Sequence, residues 1–197
     1  MVAPREDLGF VHRFVPATNP NRPPLLLLHG TGGNEDDLIP LGDRIAPGAA
    51  LLSPRGKVIE NGMPRFFRRV AEGRFDIEDL KLRTEELARF VDKACRFHGI
   101  GKPIAVGFSN GANIAWSLLF AHPDVLAGAI LIRAMLPFEP EHVPKLGGMP
   151  VLMLSGAMDP LIPAAQRDRL AHLLKAAGAD LTYDVILANH NLVPEDL

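Results

Sequence analysis

Residues 104–116 read Ile104-Ala105-Val106-Gly107-Phe108-Ser109-Asn110-Gly111-Ala112-Asn113-Ile114-Ala115-Trp116. An apolar run, Ile104–Phe108, meets a Gly-Phe-Ser-Asn-Gly turn, and the turn opens a stretch carrying Ile114, Trp116 and Leu118 at helical spacing. This is the strand–turn–helix context of a nucleophile elbow, in which a serine takes strained backbone angles that expose its hydroxyl. Gly107 and Gly111 remove the Cβ atoms that would collide with strand or helix. With four serines and eighteen glycines in 197 residues, a shuffled chain would contain Gly-x-Ser-x-Gly roughly 0.03 times. An ordinary βα turn is the weaker reading.

The same alternation extends in both directions. Apolar runs bounded by Pro, Gly or Asp recur at Leu25–Leu28, Ala50–Leu52, Ile104–Phe108, Ala129–Ile132, Val151–Leu154 and Leu181–Leu187. Several are continuous rather than alternating, which predicts strands buried on both faces. Phe10–Val15 holds His12 and Arg13 and suits a sheet edge. Between the runs, Leu80, Leu87, Phe90, Val91, Ala94 and Phe97 mark an amphipathic helix, with Asp76 as N-cap and Gly99 past its end. Further helices are predicted over Asp36–Ile45, Asn110–Ala121 and Ala164–Ala177, the last followed by Gly178. The expected fold is α/β, a three-layer α/β/α sandwich with a mostly parallel sheet covered on both sides. Functional groups should gather at the carboxyl ends of its strands.

Composition narrows the function. The chain is 47% hydrophobic and 22% charged, with 21 Lys+Arg against 23 Asp+Glu, so no basic field for nucleic acid or anionic membrane is expected. The lone Cys95 forms no internal disulfide, and no Cys/His spacing resembles a zinc site. The charged N-terminal segment 1–7 lacks the apolar core of a signal peptide, and no apolar stretch reaches membrane-span length. A cytoplasmic protein is the expectation. One domain spanning 1–197 is expected, with no internal repeat and little sequence to spare for a large cap.

A serine hydroxyl becomes a nucleophile only beside a general base, and the base needs a third group to hold its tautomer. In the order nucleophile, acid, histidine, Asp159 comes next, directly after the Val151–Leu154 run. Asp180 and Asp184 fit less well, in or before the final strand. His190 follows the last strand and is the preferred base. His172 falls within a helix, His12 in an edge strand, His98 and His122 near helix ends, and His142 in a Pro-rich loop. For the oxyanion of a tetrahedral intermediate, the elbow offers the Asn110 amide, and the loop Leu28-His29-Gly30-Thr31-Gly32-Gly33 offers that of Thr31. That loop lacks the Gly-Lys-Ser/Thr of a phosphate-binding loop.

Taken together, His29-Gly30-Thr31-Gly32-Gly33-Asn34-Glu35, the Ser109 elbow and Gly156 through Asp159-Pro160 resemble the phospholipase/carboxylesterase family of α/β-hydrolases over nearly the whole chain. Gly62-Met63-Pro64-Arg65-Phe66-Phe67-Arg68-Arg69, followed by Phe75-Asp76, is most similar to the bacterial carboxylesterase branch, whose relatives include hydroquinone-stress esterases. The resemblance implies an α/β-hydrolase fold without a large cap, with Ser109 as nucleophile, Asp159 and His190 as its partners, and Thr31 and Asn110 as oxyanion donors. It also implies that Phe66 and Phe67 contact an acyl or aryl group while Arg65 orders the loop or meets a polar substrate. His29, Gly30, Met63, Met135 and Leu136 complete the expected substrate lining. The other reading of Arg65–Arg69 is a solvated basic loop with both phenylalanines packed beneath it. Arg133, at another strand end, is expected to pair with an acid in the site or to support a loop by a salt bridge.

The sequence departs from the family pattern twice. Asn189 replaces the glycine usual before the histidine, and Asn tolerates left-handed angles better than most residues. The chain also stops at Pro194-Glu195-Asp196-Leu197, which reads as the start of a closing helix. A missing helix would leave the sheet face beneath the last strand uncovered and the histidine loop less firmly held.

The expected activity is two-step hydrolysis of small carboxylic esters through an acyl-Ser109 intermediate, without cofactor or metal. Lysophospholipase or acyl-protein thioesterase activity is the runner-up, and a noncatalytic binding or scaffold protein is the rival from another class. Dienelactone hydrolases share the architecture but usually carry a cysteine nucleophile. The expected partner is a small ester, with no nucleic acid or membrane, and a homodimer is the base-rate expectation.

Overall fold

A computed structural model of the chain describes residues 8–71 and 73–196. The charged segment 1–7, from which the lack of a signal peptide was inferred, lies outside the described residues. In chain order the elements are β1 His12–Val15, β2 Leu25–Leu28, α1 Ile39–Ile45, β3 Leu51–Pro54, β4 Val58–Glu60, β5 Met63–Arg65, β6 Arg69–Ala71, β7 Arg74–Phe75, α2 Ile77–His98, β8 Ile104–Phe108, α3 Asn110–Ala121, β9 Gly128–Ile132, β10 Pro150–Gly156, α4 Ala164–Ala176 and β11 Asp180–Ile186. All six apolar runs become strands of one seven-stranded sheet, ordered β1-β3-β2-β8-β9-β10-β11. Only β1, the polar edge strand, runs antiparallel.

Strand order reverses between β2 and β8, the place where an open α/β sheet leaves a crevice outside its carboxyl edge. Register brings the strand ends level there: Leu28 lies opposite Gly107, Phe108 opposite Ile132, and Gly156 opposite Ile186. The loops after β2, β8, β9, β10 and β11 therefore converge on one edge.

Helix α2 forms as its sequence dictates. Asp76 Oδ1 accepts the Asp79 amide at 3.1 Å, and Gly99 closes the helix at φ 66°. Leu80, Leu87, Phe90, Val91 and Ala94 are fully buried, each of the larger side chains contributing about 2 kcal/mol of burial free energy. Phe97 does not join them: it is 53% exposed, its ring against His98. Helix α1 begins at Ile39 rather than Asp36, because Asn34 Oδ1 accepts the Asp36 amide and holds the preceding residues in a turn.

Both faces of the sheet are covered, though unevenly. Leu26, Leu28, Ala105, Leu131, Val151 and Met153 face α2, α3 and α4, with the buried Trp116 stacked on Phe120 at their centre. The alternate residues Leu25, Leu27, Val106 and Leu154 point the other way, where α1 packs. On that second face Ile104, Ile130 and Leu152 remain only half-buried. No helix among the described residues is long and apolar enough to cross a membrane.

Sequence reading also missed two small hairpins. β4 pairs with β5, and β6 with β7, on either side of Phe66–Arg68, where the sequence reading assigns no strand.

Candidate active site

Ser109 sits between β8 and α3 at φ 52°, ψ −113°. A non-glycine residue pays for positive φ with strain that persists only when its surroundings fix it, and here they do. The Ser109 amide donates to Ile132 O at 2.9 Å and its carbonyl accepts the Asn113 amide at 3.0 Å. A Cβ on Gly111 would stand 1.9 Å from Leu28 O, and one on Gly107 2.5 Å from Gly111 O. Strand β2 and the elbow thus approach more closely than any side chain allows.

The Ser109 hydroxyl donates to His190 Nε2 at 2.8 Å, and His190 Nδ1–H donates to Asp159 Oδ2 at 2.7 Å. Asp159 is held in turn: its Oδ1 accepts the Leu161 amide at 2.9 Å, and its side chain is 1% exposed. The loops carrying acid and histidine touch at Gly156, where a Cβ would lie 2.5 Å from Ala188 O. The Met158 amide donates to that same carbonyl at 3.0 Å.

Asn189 does not take the left-handed angles that the sequence comparison invited. Among the described non-glycine residues only Asn61, Ser109 and Arg133 have positive φ. Asn189 Oδ1 instead accepts the Asn191 amide at 2.9 Å, a side-chain turn that shapes the loop around His190.

The histidine loop is anchored from below by Arg133, fully buried at φ 55° after β9. Its Nε donates to Asn189 O at 2.9 Å and its Nη2 to Asn191 O at 3.2 Å, so one guanidinium grips the carbonyls on both sides of His190. Asp196 supplies the counter-charge in a two-point pair, Nη1 to Oδ1 at 2.9 Å and Nη2 to Oδ2 at 3.1 Å. Of the two expectations for Arg133, loop support by a salt bridge is the one realised. Asp196 in the C-terminal 3-10 turn Pro194–Asp196 had no recognisable signal in the sequence.

The Thr31 and Asn110 amides both border the cleft and donate to no protein acceptor among the described residues. Arg65 Nη1 donates to Thr31 Oγ1 at 2.6 Å, the Gly32 amide to Pro64 O at 2.9 Å, and the Phe66 amide to Asn110 Oδ1 at 2.7 Å. The 64–66 segment therefore fastens both amides in place, a pre-organisation that favours developing negative charge between them.

Several expected lining residues do not reach this cleft. Phe66 and Phe67 are buried in the main core, against His29 and Phe75 respectively. His29 is 1% exposed and turned inward: its Nδ1–H donates to Gly30 O at 2.7 Å and its Nε2 accepts the Gly56 amide at 3.0 Å. Burial lowers its pKa, which keeps the ring neutral and that acceptor available. Gly30 is small because Phe108 packs over it, 2.8 Å from where a Cβ would be. Met63 lies over Gly32, and Leu136 packs on the core beside Phe138 and Arg169. Arg65 and Met135 do line the cleft. It encloses about 630 Å³, with Phe75, Phe108, Met135 and Leu161 as apolar walls and Arg69 beside Arg65. The sequence reading missed Phe75, Phe108, Leu161 and Arg69 as lining.

Residues 23–146 match the family model described as the alpha/beta hydrolase fold, and the chain belongs to that family. Its relatives include MhqD of Bacillus subtilis, a protein assigned as a hydrolase. The two are 53% identical over 157 residues, which cover 79% of this chain and 78% of that one. The solved carboxylesterase of Bacillus cereus superposes with a TM-score of 0.93 at 44% identity, covering 95% of this chain and 90% of the other. A carboxylesterase structure from Mesorhizobium loti gives 0.91 at 33% identity, covering 97% and 92%.

Proposed function

We propose that the protein is a serine carboxylesterase that hydrolyses small esters through an acyl-Ser109 intermediate. The observation that carries this reading is the unbroken chain from Ser109 Oγ to His190 Nε2 and from His190 Nδ1 to Asp159 Oδ2, at 2.8 and 2.7 Å. His190 takes the serine proton as Oγ attacks the ester carbonyl, and Asp159 holds the imidazolium that forms. The Thr31 and Asn110 amides receive the oxyanion. As the tetrahedral intermediate collapses, His190 gives its proton to the leaving alcohol. It then deprotonates a water that attacks the acyl carbon, and returns that proton to Ser109 Oγ as the bond from Oγ to the acyl carbon breaks and the carboxylic acid leaves. The carboxylesterase neighbours, at 44% and 33% identity, support the same chemistry for this chain.

A cleft of about 630 Å³ has ample room for a small ester. The purified protein is therefore expected to turn over p-nitrophenyl acetate and butyrate saturably. It should take one fluorophosphonate label per chain, at Ser109, and act more slowly on lysophospholipid and acyl-thioester substrates. A folded sample that neither turns over these esters nor takes the label would contradict the proposal, and a preference for lysolipid or thioester would move the protein to that class.

A further inference from the structure

Two arginines on the cleft beside Ser109, Arg65 and Arg69, keep N–H groups that the ester chemistry does not use. Arg65 is 3% exposed yet borders the cleft. Its Nη1 is committed to Thr31 Oγ1 at 2.6 Å and its Nε to Phe67 O at 3.2 Å. Both acceptors are neutral. Its carboxylate partner, Glu60, is 3.6 Å away and already engaged at 2.6 Å by Nε of Arg69. Two guanidiniums thus share one carboxylate. Arg65 Nη2 and both terminal nitrogens of Arg69 donate to no protein acceptor among the described residues.

A buried cation is costly unless paired. Burial lowers the pKa of Arg65; Glu60 opposes that shift and the like-charged Arg69 adds to it. Arg133, the third arginine on the cleft, is neutralised by its two-point pair with Asp196. Among the described residues lining the cleft there is no carboxylate.

We infer that Arg65 and Arg69 form an anion subsite, and that the preferred substrates are esters bearing a second, free carboxylate, such as half-esters of dicarboxylic acids. Free guanidinium N–H groups at the cleft wall match a carboxylate in charge and in paired donor geometry. The apolar walls at Phe75, Phe108, Met135 and Leu161 accommodate the methylene spacer between the two ends. The inference rests on the serine-esterase reading for the ester end of the molecule.

The test compares p-nitrophenyl hydrogen adipate with the p-nitrophenyl ester of adipic acid monoamide, which has the same shape without the charge. The expected result is a kcat/KM at least about tenfold higher for the acid, the scale of one charge-assisted contact. In Arg69→Gln the ratio should fall toward one, and in Arg69→Lys it should fall only in part, because charge remains while the fork is lost. A ratio of two substrates on one preparation does not depend on how much of a variant folds. Equal rates, or a faster amide, would overturn the inference and leave the esterase reading intact. Failure of the folded wild-type protein to hydrolyse either ester would overturn both.

Discussion

Replacing Ser109 by alanine is expected to lower kcat toward p-nitrophenyl acetate by a factor on the order of 10⁶, with KM and thermal stability nearly unchanged. In serine hydrolases nucleophile and base act as one unit, so losing either removes nearly all of the catalysis that the three groups supply together. What remains comes from the oxyanion donors and from binding, worth roughly 10³–10⁴ over water. Here the proposed donors are the Thr31 and Asn110 amides, which the 64–66 segment holds independently of the serine side chain. Steady-state kinetics on protein purified free of contaminating esterase measures the loss. A Ser109→Ala protein that keeps more than a few per cent of the activity would place the chemistry elsewhere.

Arg133→Ala is expected to have the largest effect on stability, about 3–5 kcal/mol, because it leaves the Asp196 carboxylate buried without its counter-charge. Stability and activity are separated by a second variant, Arg133→Met with Asp196→Leu, which replaces the pair by apolar groups and should regain most of the stability. It does not regain the bonds to Asn189 O and Asn191 O. With those carbonyls released, His190 is free to drift, and a displacement near 1 Å costs on the order of 10² in rate. Urea denaturation together with kcat checks both halves. A double variant with wild-type kcat would show that the guanidinium supports the fold alone.

What could be read in advance followed from local pattern. Continuous apolar runs have few alternatives to central parallel strands, and Gly-x-Ser-x-Gly between such a run and a helix leaves one backbone geometry. Asp159 and His190 were legible because they follow strands in a fixed order, although the hydrogen bonds that join them depend on loops meeting at Gly156. The 58–75 region was not legible. Phe66-Phe67 next to arginines reads equally well as a pocket wall or as core, and only the tertiary position of the two hairpins decides for core. Asp196 gave no signal, since nothing local shows that a C-terminal acid will reach a guanidinium 63 residues earlier. His29 misled for the opposite reason: it lies in the Gly-rich loop after β2, but its ring turns inward to the Gly56 amide.

The central claim is that Ser109 carries the acyl group. Rapid mixing of the protein with p-nitrophenyl acetate, followed by acid quench and peptide mass analysis, tests it without reference to the physiological substrate. The account predicts a burst of p-nitrophenol stoichiometric with protein, and one acetyl group on the peptide containing Ser109 that disappears as deacylation proceeds. Steady turnover in wild-type protein with no acetylated Ser109 at any quench time, and with full activity retained in Ser109→Ala, would contradict it.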